Sequence, residues 1–589
     1  MRIKRLKSVF GAIAIVSLAA GLSACGGGGG GGGGGSGSGS GSGGSGSSGT
    51  ANTASGTTNT GSSLAPVTTT PAADGKLHAA CSHCGAADDS TYSGSGVGLW
   101  QALNTSTQNE TVNVAINGAT GRTVTLVYTN ESSSNQTMPA VSISASVMSA
   151  ADVVAKASTQ RSTVAEDPHM TAVREFNTNG WKALVKQQST PGTAAAADVV
   201  SRVQRSVITY NVGDLRDFWL ADGSQRHMTL QATATTADLT KVNLWVETTE
   251  YGTGKITPAI VSTLLQNYAG AGGVYDMVTG VGGPFWGTVT ATGMIPAGQP
   301  VDLVVANFNH DGQPYGTVGY FWAMNNFVNQ GSGSLTSLSN SDLSLYLDSE
   351  TLYLAGTTGM QVMQTVMAHE STHMQNFYRR DMLMGAQYAY DTWLEETTAM
   401  MMEDWVSFNI DPTFNSVRDG RFSDYLTYNG HGSYTCGLTT WIVGGTTCDS
   451  YTTNGSFGGF LNRQLGLTFY KTLLNDKNAT ASIDILNDAI NQVRPGSSVA
   501  QELRHFTVAA SGQIPFGANM SQYGFPSRSE GGFTLPSIDP STMTRDLPST
   551  SPGILLGYAS LPAVRANVSS SYRETVTLPP GVTLSVVVQ

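Results

Sequence analysis

The sequence predicts an α+β protein. It has an antiparallel, sandwich-like β region near the N-terminus, a centre of mixed strands and helices, and a small β appendage at the C-terminus. Three observations predict it. Short apolar runs of period two fill residues 97–147. Apolar residues at three- and four-residue steps mark helices over 360–380, 460–474, 483–493 and 499–510. Alternation then returns at Val576, Leu578, Val582, Leu584 and Val586. Period two is the mark of a strand with one buried face, and period 3.6 the mark of an amphipathic helix.

The first 24 residues read as a targeting segment. Arg2, Lys4, Arg5 and Lys7 precede a mostly apolar run over residues 9–22, the order of a secretory signal. Leu22-Ser23-Ala24-Cys25 resembles a bacterial lipobox, with cleavage before Cys25 and lipid on the new N-terminal cysteine. Two or more acyl chains there would anchor the protein stably. Gly26 follows instead of the Asp that resembles an inner-membrane retention signal. The expected location is therefore the bacterial cell envelope, lipid-anchored at the outer membrane, or release outside the cell. Residues 25–70 are glycine, then Gly/Ser, then Thr-rich. Such a stretch cannot bury a core and is expected to act as a flexible tether reaching about 35 Å. No later stretch holds eighteen continuous apolar residues, so no membrane-spanning helix is expected.

The remaining part, about 520 residues, is long enough for several domains. Residues 71–225 are expected to form the β-rich N-terminal domain or a pro-region. Residues 226–515 form the central domain and 516–589 the appendage. Charged residues make up only 12% of the 589-residue chain, with net charge −11, which argues against a nucleic-acid partner. Oligomeric state is left open.

In the N-terminal region Val112, Val114 and Ile116 form one alternating run, Val124, Leu126 and Tyr128 a second, and Val141, Ile143, Ala145 and Val147 a third. Asn117-Gly118 is a turn between the first two. Residues 148–200 could be helix or linker. In the centre, residues 242–246 and 301–308 read as strands, and 316–322 and 343–347 as further candidates. Thr257-Pro258 caps a helix bearing Ile260, Leu264 and Tyr268 on one face. Residues 425–458, rich in Gly and Tyr, read as a connecting segment.

After Cys25 four cysteines remain, which an exported protein holds as disulfides. Cys436–Cys448 is the preferred pair. Cys81-Ser82-His83-Cys84 has the spacing of a redox or zinc motif. Its setting in a polar connector favours a local or structural disulfide.

The chemistry gathers at His369-Glu370-Ser371-Thr372-His373. No Pro or Gly interrupts residues 360–380, so H-E-x-x-H lies on a helix. His369 and His373 then share one face, able to hold one Zn²⁺, with Glu370 beside them as a base for the water the metal activates. The metzincin extension is excluded, because Asn376 and Arg379 stand where Gly and His are required.

Downstream, Trp393-Leu394-Glu395-Glu396 resembles the W-L-x-E segment that supplies the glutamate ligand in gluzincin, thermolysin-like metallopeptidases. Together with residues 316–322 and 339–348, in this order, the motifs resemble the hyicolysin-like zinc metallopeptidases over roughly residues 240–510. The resemblance implies a zinc peptidase domain with His369, His373 and Glu396 as metal ligands, Glu370 as general base and acid, and a protein or peptide substrate. It also implies that a strand beside the zinc helix binds substrate as an added strand, with residues 343–347 the candidate. Tyr428, His431, Tyr434 and Tyr470 are candidates for the oxyanion donor. Two further readings stand beside an endopeptidase: a zinc aminopeptidase, and a surface-displayed binding or adhesion lipoprotein with an inactive or structural zinc site. Glu370 speaks against the last, because a structural zinc site has four closed ligands and no use for a carboxylate there.

Overall fold

The first strand that matters comes last in the chain. In the computed structural model, which describes residues 71–143, 167–188, 207, 209–518 and 520–589, the C-terminal strand reads Val-Thr-Leu-Ser-Val-Val-Val. All seven of its residues are buried. β-branched residues on both faces suit a central strand rather than an edge. Strands are numbered in chain order. β1 (Gly98–Leu103), β2 (Glu110–Asn117) and β3 (Val124–Asn130) come from the N-terminal region. The signal segment, Cys25, the tether and most of residues 148–200 lie outside the described residues.

The helical segment α1 (Pro168–Glu175), a π-turn over Phe176–Gly180 and α2 (Trp181–Gln188) follow. A six-stranded mixed sheet comes next: β4 (Leu215–Trp219), β5 (Gln225–Thr235), β6 (Lys241–Glu247), β7 (Val301–Ala306), β8 (Gly319–Phe321) and β9 (Leu343–Asp348). Their spatial order is β8-β9-β7-β6-β5-β4. β9, β7 and β6 run parallel, and β8 pairs antiparallel with β9. Three long helices stack beside it: α3 (Gly356–Asn376), α4 (Thr392–Ile410) and α5 (Ser450–Asn475). Two more, Ser482–Val493 and Val499–Ser511, complete the helical part.

The chain ends in β10 (Ser560–Arg565), β11 (Ser571–Leu578) and β12 (Val582–Val588). The expected C-terminal appendage is not a separate module. β12 lies between β1 and β3, β10 pairs with β3, and β11 pairs with β2, all antiparallel. The two ends of the chain thus build one β-sandwich. Leu584, Val586 and Val588 share its core with Val114, Ile116, Leu126 and Tyr128. Val587, on the other face of β12, packs with Val508 and Ile514, so β12 has no solvent face.

Several expected elements appear where periodicity placed them. Thr257 caps the helix Pro258–Ala269 through its side chain. Cys81–Cys84 and Cys436–Cys448 are both disulfide-bonded. The helix expected from residue 460 starts instead at Ser450. Its glycines read as a loop but are contact points. A Cβ on Gly455 would meet the Arg421 and Met400 side chains within 3 Å, and one on Gly458 would fall 2.8 Å from Met401 Cγ. These glycines let α5 pack closely on α4.

Candidate metal centre

α3 and α4 lie side by side and face each other with opposite chemistry. α3 presents His369, Glu370 and His373; α4 presents Glu395, Glu396 and Glu403. Glu396 and Glu403 are seven residues apart, two turns on one face of the helix. His369 Nδ1 lies 2.7 Å from Glu403 Oε1, and its Nε2 lies 3.1 Å from Glu396 Oε2. His373 Nδ1 lies 2.8 Å from Glu395 Oε1, and its Nε2 lies 3.8 Å from Glu396 Oε2. Each imidazole is thus held by a carboxylate at Nδ1 and turns Nε2 toward Glu396. The two rings stand nearly perpendicular, with centroids 4.6 Å apart.

This donor set fits a zinc ion. Tetrahedral bonds of about 2.0–2.1 Å place donor atoms about 3.3 Å apart, and the two Nε2–Oε2 separations bracket that value. One donor atom from each of His369, His373 and Glu396 lies within 4.8 Å of the others. The carboxylates at the two Nδ1 atoms fix tautomer and ring orientation as outer partners of metal-binding histidines do. Geometry also separates the adjacent glutamates: Glu396 converges on both Nε2 atoms, whereas Glu395 supports His373 and receives Asn376 Nδ2 at 3.1 Å on each oxygen.

The electrostatics follow from burial and pairing. Burial opposes charge on His369, but its bonds to Glu396 and Glu403 outweigh that and push the imidazole up to about 10. Burial also opposes charge on Glu396, yet His369, His373 and Arg174 hold its carboxyl far below the usual range. Arg421 grips Glu403 with Nη2 2.8 Å from Oε1. Despite burial, Arg421 and His369 keep Glu403 ionised below its ordinary value.

Glu370 sits apart from this convergence. Its Oε2 accepts the Phe321 N–H at 2.8 Å, which ties it to β8. Burial raises its carboxyl, and the two imidazoles pull it back. β8 is one of the two edge strands of the six-stranded sheet. The candidate substrate strand, residues 343–347, lies in β9, paired along its length to β7 and at Leu345, Tyr346 and Leu347 also to β8. That expectation is corrected, since an interior strand has no free hydrogen-bonding edge.

Of the four oxyanion candidates, the three tyrosines turn their hydroxyls to backbone carbonyls. Tyr428 donates to Gly445 O, Tyr434 to Leu426 O and Tyr470 to Thr398 O, and His431 Nδ1 is buried without a hydrogen-bond partner among the described residues. Tyr451, which sequence reading passed over, is the tyrosine beside the centre. Its ring lies 6.5 Å from that of His369, and its hydroxyl takes Arg174 Nη2 at 3.3 Å. Glu403, Arg421 and Arg174 were also missed. Only Glu403 carried a sequence signal, its helical phase with Glu396.

Comparison with known families agrees with this geometry. Residues 79–143 match a domain of unknown function (DUF8571). No curated protein matches the chain. The model of the Peptidase M30 family matches residues 222–589, more than half of the chain and all of α3 and α4. By that match the chain belongs to the Peptidase M30 family of zinc metallopeptidases.

Proposed function

We propose that the protein is a zinc endopeptidase with one catalytic ion held by His369, His373 and Glu396, with Glu370 as general base and acid. The observation that carries this reading is the convergence of two carboxylate-supported Nε2 atoms on Glu396 Oε2, with Glu370 held beside them against the edge strand β8. When bound, zinc supplies Lewis-acid polarisation of the scissile carbonyl and lowers the pKa of a water toward neutrality.

The chain's own groups supply the rest. Glu403 and Glu395 hold the two imidazoles in place. An extended substrate adds to the edge of β8, where main-chain hydrogen bonds give affinity with little demand on sequence. Glu370 Oε1 takes the proton of the attacking water and passes it to the leaving amine. The Phe321 N–H on Oε2 keeps that carboxylate oriented. Tyr451 donates to the oxygen that gains charge.

The charged N-terminus, apolar run and Leu-Ser-Ala-Cys25 of the sequence support export as a lipoprotein. In this arrangement residues 1–24 are the signal and residues 25–70, lipidated at Cys25, tether the protein to the cell envelope. Residues 71–225 precede the catalytic part, 226–515, and residues 516–589 return to the N-terminal sheet. Two disulfides suit the oxidising compartment that this route leads to.

The test is hydrolysis of casein and of an N-acetylated peptide by the zinc-loaded protein. Chelator-sensitive cleavage of both supports an endopeptidase. Cleavage confined to peptides with a free N-terminus points to an aminopeptidase. Zinc binding by the Glu395→Gln and Glu396→Gln variants checks the ligand assignment. Stronger loss in the first would move the ligand to Glu395.

A further inference from the structure

The segment just before the family-matched region enters the metal centre. Arg174, on α1, places Nε 3.1 Å from Glu396 Oε1, the carboxylate oxygen turned away from the histidines. Its Nη2 reaches the Tyr451 hydroxyl, and its guanidinium lies 5.7 Å from the Trp441 ring centroid. One turn on, the Asn177 side chain docks on the edge of the mixed sheet. Its Nδ2 donates to Phe321 O at 2.7 Å, and its Oδ1 accepts the Ala323 N–H at 2.8 Å. Phe321 ends β8 and Ala323 opens the short 3₁₀ turn Ala323–Asn326 just beyond it; an outward carbonyl and the N–H two residues on are the pair a neighbouring strand satisfies. Asn177 therefore takes the place that an added peptide strand needs.

The rest of the segment fastens this contact. Thr178 Oγ1 lies 3.4 Å from Thr392 Oγ1 at the start of α4. Phe176 meets Phe327 edge-on, and Trp181 is buried edge-on against Phe377. Asn177 and Thr178 line one small cavity together with Phe321, His373, Phe377 and Glu395.

We propose that residues 167–188 are an intramolecular plug that keeps this peptidase latent by filling the substrate's place at β8 and engaging Glu396 and Tyr451. The proposal rests on the peptidase reading above. It assigns the inhibition to these residues alone rather than to the whole of residues 71–225. The N-terminal β region is not separable in the same way, because β12 is held between β1 and β3. A plug can leave the cleft while that sandwich stays whole.

The experiment compares the full-length zinc-loaded protein with its Arg174→Ala/Asn177→Ala variant. Three quantities are read: bound zinc, kcat/KM on a fluorogenic peptide, and Kd for a fluorescent peptide hydroxamate. The plug requires unchanged zinc, with kcat/KM and hydroxamate affinity both raised at least about tenfold. Unchanged values of both, or a loss of zinc or activity, would overturn it and make Arg174 and Asn177 fixed supports of the site. Tighter hydroxamate binding without turnover in either protein would uphold the plug and sink the peptidase reading. Turnover in both proteins at equal rates would do the reverse. A Thr178→Cys/Thr392→Cys variant tests the same point if the first variant does not fold. Cross-linking should abolish residual turnover until a phosphine reductant is added, with the parent treated alike. Unaltered turnover after cross-linking would contradict the plug.

Discussion

Glu403 Oε1 stands 2.7 Å from His369 Nδ1, and Arg421 holds the same carboxylate from the other side. A carboxylate there makes the imidazole more basic and fixes which nitrogen faces the metal. Glu403→Gln keeps the shape and removes the charge. It should lower zinc affinity or activity about 10- to 100-fold. Competition with a zinc indicator measures the first, and peptide turnover at saturating zinc measures the second.

Tyr451 should matter for rate and not for metal. Losing one donor to a developing oxyanion lowers kcat by about 10²- to 10³-fold. Tyr451→Phe is expected to show that loss with zinc content and KM near those of the parent. An unchanged kcat would remove Tyr451 from the mechanism.

Zinc loading should expel protons. In the metal-free protein the His369 imidazole is pushed up to about 10 by Glu396 and Glu403, against the opposing effect of burial. Zinc needs the neutral ring. Uptake at pH 8 should therefore release about one proton from His369, and apparent affinity should rise about tenfold per pH unit up to about pH 10. The same shift has a stability side. A raised imidazole pKa stabilises the metal-free fold fully below the ordinary value of 6.5, and that contribution is lost as pH rises through about 10. Melting temperature of the metal-free protein should fall across that window. Calorimetry in buffers of different ionisation enthalpy counts the protons.

The returning strand should be essential to the fold. Leu584 is fully buried in the sandwich core and pairs with Ala102 and Tyr128 on its two sides. Leu584→Ala should cost about 2–5 kcal/mol, read by denaturant unfolding. Truncation after Gly581 leaves β1 and β3 without the strand between them and should abolish soluble expression.

What could be read in the sequence follows the range of the forces involved. The H-E-x-x-H helix, residues 242–246 and the Thr257 cap rest on local spacing, and local spacing is visible in a single chain. The partnership of β12 with β1 is not local. Gln101 and Ser585 are hydrogen-bonded across 484 residues, and nothing in an alternating apolar run names its partner. The start of α5 was hidden because Gly455 and Gly458 resemble a loop until α4 is seen against them. At the site, the proposed ligands His369, His373 and Glu396 carried a motif. Glu403 carried only a helical phase, and Arg174 carried nothing, since its role comes from docking a distant segment. The tyrosines chosen by residue type turned out to be tied to backbone carbonyls.

The most direct test is zinc content and casein hydrolysis measured side by side on the protein and its Glu370→Ala variant. Both proteins should hold about one zinc, and the variant should lose about 10²- to 10⁴-fold in kcat. A variant that cleaves as fast as the parent, or a parent that binds no zinc and still cleaves, would contradict Glu370 as the base of a zinc peptidase.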